Sequence, residues 1–118
     1  MKTILIVDDE LDILSALKAI FTIEQYQVFT ATNGRVAMEV LQHVHPDVIL
    51  TDWMMPEMNG VELCREVRSD PNLTGIPIVV SSAAATHPQG QPYWDHFLSK
   101  PVEIRDLLDL IRDFSHPA

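Results

Sequence analysis

Four short apolar runs in this 118-residue chain each stop at a residue with reactive chemistry: Ile4 to Val7 at Asp8 and Asp9, Val48 to Thr51 at Asp52, Ile78 to Ser81 at Ser82, and Phe97 to Ser99 at Lys100. Three carboxylates, a hydroxyl and an ammonium form a set suited to a divalent cation and a phosphoryl group. If the runs are parallel strands, their carboxyl ends share one sheet edge, and these residues converge on one crevice. Two carboxylates about 4 Å apart repel by roughly 4 kcal/mol at an effective dielectric near 20, so three together call for a counter-ion. An oxygen donor set with no His or Cys beside it matches Mg²⁺ better than zinc. Mg²⁺ and Lys100 would then neutralise Asp8, Asp9 and Asp52, and the metal, Lys100 and the Ser82 hydroxyl would hold the developing charge of a phosphoryl group.

Each residue also has a plainer reading. An Asp at a strand end is commonly a cap for the next helix. Ser82 alone reads as a turn residue, and Lys100 before Pro101 as a solvated surface charge. Their joint order along the chain is what favours a common site.

The elements that must position these residues alternate. Ile4 to Val7 reads as a strand covered on both faces. From Leu11 the period becomes helical, with Leu14, Leu17 and Phe21 on one face beside Ile13 and Ile20. Gln27 to Ala31 is a more exposed strand closed by Thr32-Asn33-Gly34, followed by a helix carrying Val36, Val40 and Val44 with Ala37 and Leu41. Val48 to Thr51 is the third strand, and Val61, Cys64 and Val67 mark the third helix after the turn Met55 to Gly60. A loop over Pro71 to Gly75, strands at Ile78 to Ser81 and His96 to Ser99, and a last helix with Ile104, Leu107, Leu108 and Ile111 complete the chain. This order implies right-handed crossovers and a parallel sheet with helices on both faces.

The size predicts one domain over residues 1–118, with an ordered core to about residue 114 and a short tail at 115–118. No apolar stretch is long enough to span a bilayer, and Cys64 has no partner for an internal disulfide, which makes a cytoplasmic location the expectation. A net charge of −9 counts against direct binding to nucleic acid or to an anionic membrane.

Four ordered blocks carry a family resemblance: Ile4 to Glu10, Asp47 to Gly60, Ile76 to Ala83, and Phe97 to Pro101. In these blocks the chain resembles the receiver domain of two-component response regulators. The resemblance implies an α/β, flavodoxin-like fold, a doubly wound five-stranded parallel sheet of strand order 2-1-3-4-5. It implies that Asp52 is the phosphoacceptor for a phosphoryl group from a histidine kinase's phosphohistidine. Asp9, Asp52 and the Met54 backbone carbonyl would bind Mg²⁺ directly, with Asp8 acting mainly through water. Lys100 would contact a phosphoryl oxygen, Ser82 would be the switch hydroxyl, and Phe97 the aromatic that follows it inward. The implied partners are a sensor histidine kinase or phosphotransfer protein, and a downstream protein or fused output domain. The implied activity is self-catalysed phosphorylation and dephosphorylation, not turnover of a metabolite. Met54 and Ala84 occupy the positions that tune hydrolysis in this family and cannot orient water, which predicts a slow loss of the phosphoryl group.

The chain departs from the family pattern between Ala83 and His96, where Pro88, Gly90 and Pro92 predict a shortened or irregular fourth helix, with Ala85 to Tyr93 as a loop. The familiar small-residue turn before the fifth strand is replaced by Tyr93-Trp94-Asp95-His96. Two rival readings use the same residues: a degenerate receiver serving only as an interaction module, and a Mg²⁺-dependent phosphohydrolase that passes through an aspartyl phosphate. The latter usually carries Asp-x-Asp at its first strand end, where this chain has Asp8-Asp9-Glu10. Elsewhere, His43 and His45 read as a solvated helix end, Cys64 as core, Met55 and Met58 as turn residues, and Lys100-Pro101 as a cis bond by resemblance.

Overall fold

The aliphatic runs are strands because their side chains, alternating with a period of two, are all covered. The computed structural model describes residues 1–55, 57–83 and 93–115. β1 (Lys2–Val7), β2 (Tyr26–Ala31), β3 (Val48–Asp52), β4 (Ile78–Ser82) and β5 (His96–Ser99) form one parallel sheet in the order β2-β1-β3-β4-β5. Between or after them lie α1 (Leu11–Ile23), α2 (Gly34–Leu41), α3 (Gly60–Ser69) and α4 (Ile104–Ser115).

Alternation divides the core cleanly. Ile4 and Ile6 of β1, Val48 and Leu50 of β3 and Val79 of β4 pack with Leu14 and Phe21 of α1 and with Leu107 and Ile111 of α4. Leu5, Val7, Ile49, Ile78 and Val80 pack instead with Ala37 and Leu41 of α2 and with Leu63, Cys64 and Val67 of α3. In β3, covered by both layers, the only polar residue before the last is Thr51, whose buried hydroxyl donates to the Asp52 carbonyl. Truncating one of the large aliphatic core side chains to Ala would cost about 2–5 kcal/mol.

Two caps set where helices begin. Asn33 accepts a hydrogen bond from the Val36 N–H at 2.9 Å and starts α2. Asn59 and Glu62 form a reciprocal capping box that starts α3. Gly60 is required next, since its N–H donates to the Trp53 carbonyl and any Cβ there would run into the Asp52 carbonyl.

The expected strand order is confirmed, and the boundaries shift by small amounts. β1 and β2 begin earlier than the aliphatic pattern predicts, and β4 includes Ser82, which is therefore a buried strand end and not a turn residue. α2 stops at Leu41, so Val44 lies beyond it, and its inward face is Gly34, Ala37 and Leu41 while Val36 and Val40 are half-buried. Small residues win that face because Gly34 approaches Met58 too closely for any side chain. α4 reaches Ser115, one residue past the expected core. His45 is exposed, as expected, and its Nε2 also lies 3.1 Å from the Asn72 carbonyl. Cys64 is fully buried, and burial pushes its thiol up to about 12. The Lys100-Pro101 bond is cis, as the resemblance implied. The expected irregular segment falls, over residues 84–92, outside the described residues, as do Ala84 and the tail over 116–118.

One arginine does more structural work than its sequence context announces. Arg68, at the end of α3, donates from Nε to the Tyr93 carbonyl, from Nη1 to the Thr74 and Ile76 carbonyls, and from Nη2 to Asp95, each at 2.8 Å. The same Asp95 oxygen accepts from the Ile78 N–H, and the Asp95 N–H donates to the Ile78 carbonyl. This group ties α3 to the amino ends of β4 and β5, opposite the edge where the reactive residues lie.

Candidate functional site

Register brings the reactive residues level. Val7 pairs with Thr51, so the next residues, Asp8 and Asp52, leave the sheet side by side, and Asp52 pairs across β4 with Ser81. Parity then decides direction: Asp8, Asp52 and Lys100 continue the positions of Ile6, Leu50 and Leu98, which face α1 and α4. Trp53 and Phe97 continue the opposite set and pack with the α2 and α3 layer.

Asp8, Asp52 and Ser82 are buried, while Asp9 is exposed on the solvent side. Lys100 reaches back from the end of β5, its Nζ 3.4 Å from Asp8 and 3.6 Å from Asp52, and its own N–H donates to the Ser82 carbonyl. The Trp53 N–H donates to Asp52 at 2.9 Å, and the Glu10 N–H to Asp8 at 2.9 Å. Burial raises the Asp52 pKa above the ordinary carboxylate value; Lys100 and the Trp53 N–H oppose the rise, while Asp8 and Asp9 add to it.

The plainer readings do not describe this site. Neither Asp8 nor Asp52 caps a helix: α1 has Glu10 at its N-cap with no side-chain bond, and α3 is capped by Asn59. Lys100 is an ion-pair partner, not a free surface charge. A cleft of about 320 Å³ opens over these residues, lined among others by Asp9, Asp52, Met54, Ser82 and Lys100. A second, more apolar cavity of about 450 Å³ runs alongside between α1 and α4, sharing Lys100 and lined by Asp8, Leu17 and Leu107.

Oxygens from Asp8, Asp9 and Asp52 all lie within 4.8 Å of one another. A donor set of carboxylates alone, with one member open to solvent, fits a hard cation that keeps part of its water, such as Mg²⁺. Among the described residues no other group of acidic, His or Cys side chains has this closeness.

The model of the response regulator receiver domain matches residues 4–112. The chain belongs to that family. As a receiver domain it is a phosphoacceptor signalling unit of two-component systems, and the curated relatives it resembles are named as response regulators or regulatory proteins. It is 35% identical over 111 residues to the phosphate regulon transcriptional regulatory protein PhoB of Pseudomonas aeruginosa, covering 91% of this chain and 48% of PhoB. It is 38% identical over 116 residues to the response regulator PleD of Caulobacter vibrioides, covering 95% of this chain and 26% of PleD. The chain thus spans half or less of the length of these curated relatives. The solved structure of the response regulator TrrA of Thermotoga maritima, in complex with Mg²⁺ and BeF, superposes with a TM-score of 0.85 at 27% identity, covering 97% of this chain and 99% of that one.

Of the residues singled out from the sequence, Asp8, Asp9, Asp52, Ser82, Lys100 and Met54 meet at this edge, and Phe97 lies one layer away. Its ring stands edge-on to Trp53 at 6.1 Å and tilted to Trp94 at 5.9 Å. Sequence reasoning missed the supports: the Trp53 and Glu10 N–H donors, which any residue type could supply, and the Arg68 group. It also missed a link from Asn33 to Glu57. Asn33 had one usable signal, a cap-forming residue directly before Gly34, but its second partner lies 24 positions away.

Proposed function

We propose that Asp52 is the phosphoacceptor, with Asp8, Asp9 and the Met54 carbonyl as the remaining metal-binding groups, Lys100 as the counter-charge and Ser82 with Phe97 as the switch. The observation that carries this reading is the convergence of Lys100 on a buried Asp52 that stands beside Asp8 and Asp9. The Asp52 carboxylate attacks phosphorus in a phosphohistidine, the phosphorus–nitrogen bond breaks, and the imidazole leaves and takes up a proton. Lys100 is positioned to meet the charge on the incoming phosphoryl oxygens. Bound Mg²⁺ would neutralise the acidic cluster and help hold those oxygens.

Phosphorylation replaces one carboxylate charge with a larger group of strong acceptors. Ser82 lines the cleft and Phe97 lies in the layer beneath, which supports reading them as the groups that respond. The output is altered binding, not turnover of a small molecule. The donor is a sensor histidine kinase or a phosphotransfer protein, the receiver of the signal is a downstream protein or fused output domain, and the setting is the cytoplasm. No described helix is long and apolar enough to cross a membrane. Met54 is exposed and apolar at the mouth of the cleft, which supports slow loss of the phosphoryl group; replacing it with a polar residue is expected to shorten the phosphoryl half-life.

Incubation with Mg²⁺ and acetyl phosphate, followed by intact mass, tests the assignment. The wild-type chain is expected to gain one phosphoryl adduct, and Asp52→Ala none. An adduct that persists in Asp52→Ala would overturn it.

A further inference from the structure

The loop that carries Met54 is held from outside the reaction centre by the start of α2. Asn33 is buried and uses both ends of its amide: the oxygen accepts from Val36 N–H, and the nitrogen donates to Glu57 at 2.9 Å. The other Glu57 oxygen lies 3.6 Å from Arg35, and the Gly34 N–H donates to the Met58 carbonyl at 2.9 Å. Glu57 itself sits at φ 64, a left-handed conformation that a non-glycine residue adopts at some energetic cost. A side chain that holds its backbone there against that cost is acting as an anchor. At its other end the loop is closed by the Gly60 N–H on the Trp53 carbonyl.

We infer that Asn33 and Glu57 form a clamp that positions the loop between β3 and α3 for metal binding, so that the affinity for Mg²⁺ depends on a hydrogen bond made at the N-terminus of α2. The inference rests on the metal-binding reading above. Asn33 and Glu57 are positioning residues: they act through the backbone that presents the Met54 carbonyl, beside Asp52.

The polarity of the amide makes the clamp testable apart from the cap. Asn33→Asp keeps an acceptor for Val36 N–H but sets a carboxylate against Glu57, which turns the bond into a repulsion. Glu57→Gln keeps a carbonyl that accepts from Asn33. In the double variant Asn33→Asp with Glu57→Gln, the Gln amide donates to the Asp carboxylate, and the net charge returns to that of wild type.

Mg²⁺ affinity of the full chain is read by Trp53 fluorescence or calorimetry, with far-UV circular dichroism to check the fold. Asn33→Asp is expected to weaken Mg²⁺ binding by about tenfold, the low end of what losing an outer support costs a metal site. Glu57→Gln is expected to stay near wild type, and the double variant to recover most of the loss. Glu57→Gly, which removes the side-chain anchor while suiting the left-handed backbone, is expected to bind weakly without loss of fold. A general structural role would lower stability in these variants without producing the recovery. Equal or tighter Mg²⁺ binding by Asn33→Asp, or a double variant as weak as the single one, would overturn the clamp alone. A wild-type chain with no Mg²⁺ response would overturn the metal reading and the clamp with it.

Discussion

The two ends of the sheet treat charge in opposite ways. At the carboxyl edge, one ammonium pairs with the buried Asp8 and Asp52 while the exposed Asp9 comes within 4.8 Å of both, and burial holds Asp52 above its ordinary pKa. At the amino ends of β4 and β5, one guanidinium meets one carboxylate and three carbonyls in fork geometry, so charge and hydrogen-bonding capacity are matched. The lower group is complete as folded and fixes position. The upper group is left short of positive charge, so a cation or a phosphoryl group with its metal has something to gain by arriving. An under-compensated buried cluster marks function, and a compensated one marks architecture.

The contrast can be broken most severely at Asp52, where Ala should abolish the phosphoryl adduct seen by intact mass while the fold survives. Next in size, Arg68→Ala should destabilise the chain by about 2–3 kcal/mol in urea unfolding, because it strands carbonyls and Asp95 together. It should also speed native-state labelling of Cys64, whose raised pKa and burial make it inert until the structure opens. A loss close to zero would mean that the lower group is decoration.

At the upper group, tenfold Mg²⁺ over its dissociation constant should stabilise the wild-type chain by about 1.4 kcal/mol, and chelation should reverse this. Asp52→Asn should remove most of that gain. Without metal, Asp52→Asn should instead raise the melting temperature at neutral pH. The sign follows from the raised pKa: the folded state holds the Asp52 proton more tightly than the unfolded state. The ionised carboxylate therefore costs stability above the folded pKa. As pH falls through that value toward 3.8, the wild-type chain recovers and the gap to Asp52→Asn should close. A gap that widens on acidification would contradict an under-compensated site.

The reaction centre was legible because its members are strand-terminal residues. Ile4 to Val7 and Val48 to Thr51 had to be buried strands, and the first polar residue after each had to emerge at the same edge. The one-residue extension of β4 that takes in Ser82 was not legible, since a serine at a strand end looks like the start of a turn. On α2 the expected Ala37 and Leu41 are buried, but Val36 and Val40 are only half-buried, Val44 lies beyond the helix, and Gly34, which no apolar pattern marks, takes an inward position. Close packing against Met58 outweighed hydrophobicity there.

From local pattern alone the chain determines its alternation of strands and helices, its both-faces-buried sheet and the set of residues at the reactive edge, because those follow from period and polarity. Which carboxylate is most buried, which two Lys100 reaches, and how Arg68 and Asn33 join segments distant in sequence were decided only in three dimensions. Desolvation and hydrogen-bond geometry depend on what the rest of the fold brings alongside, and no local pattern of residues encodes that.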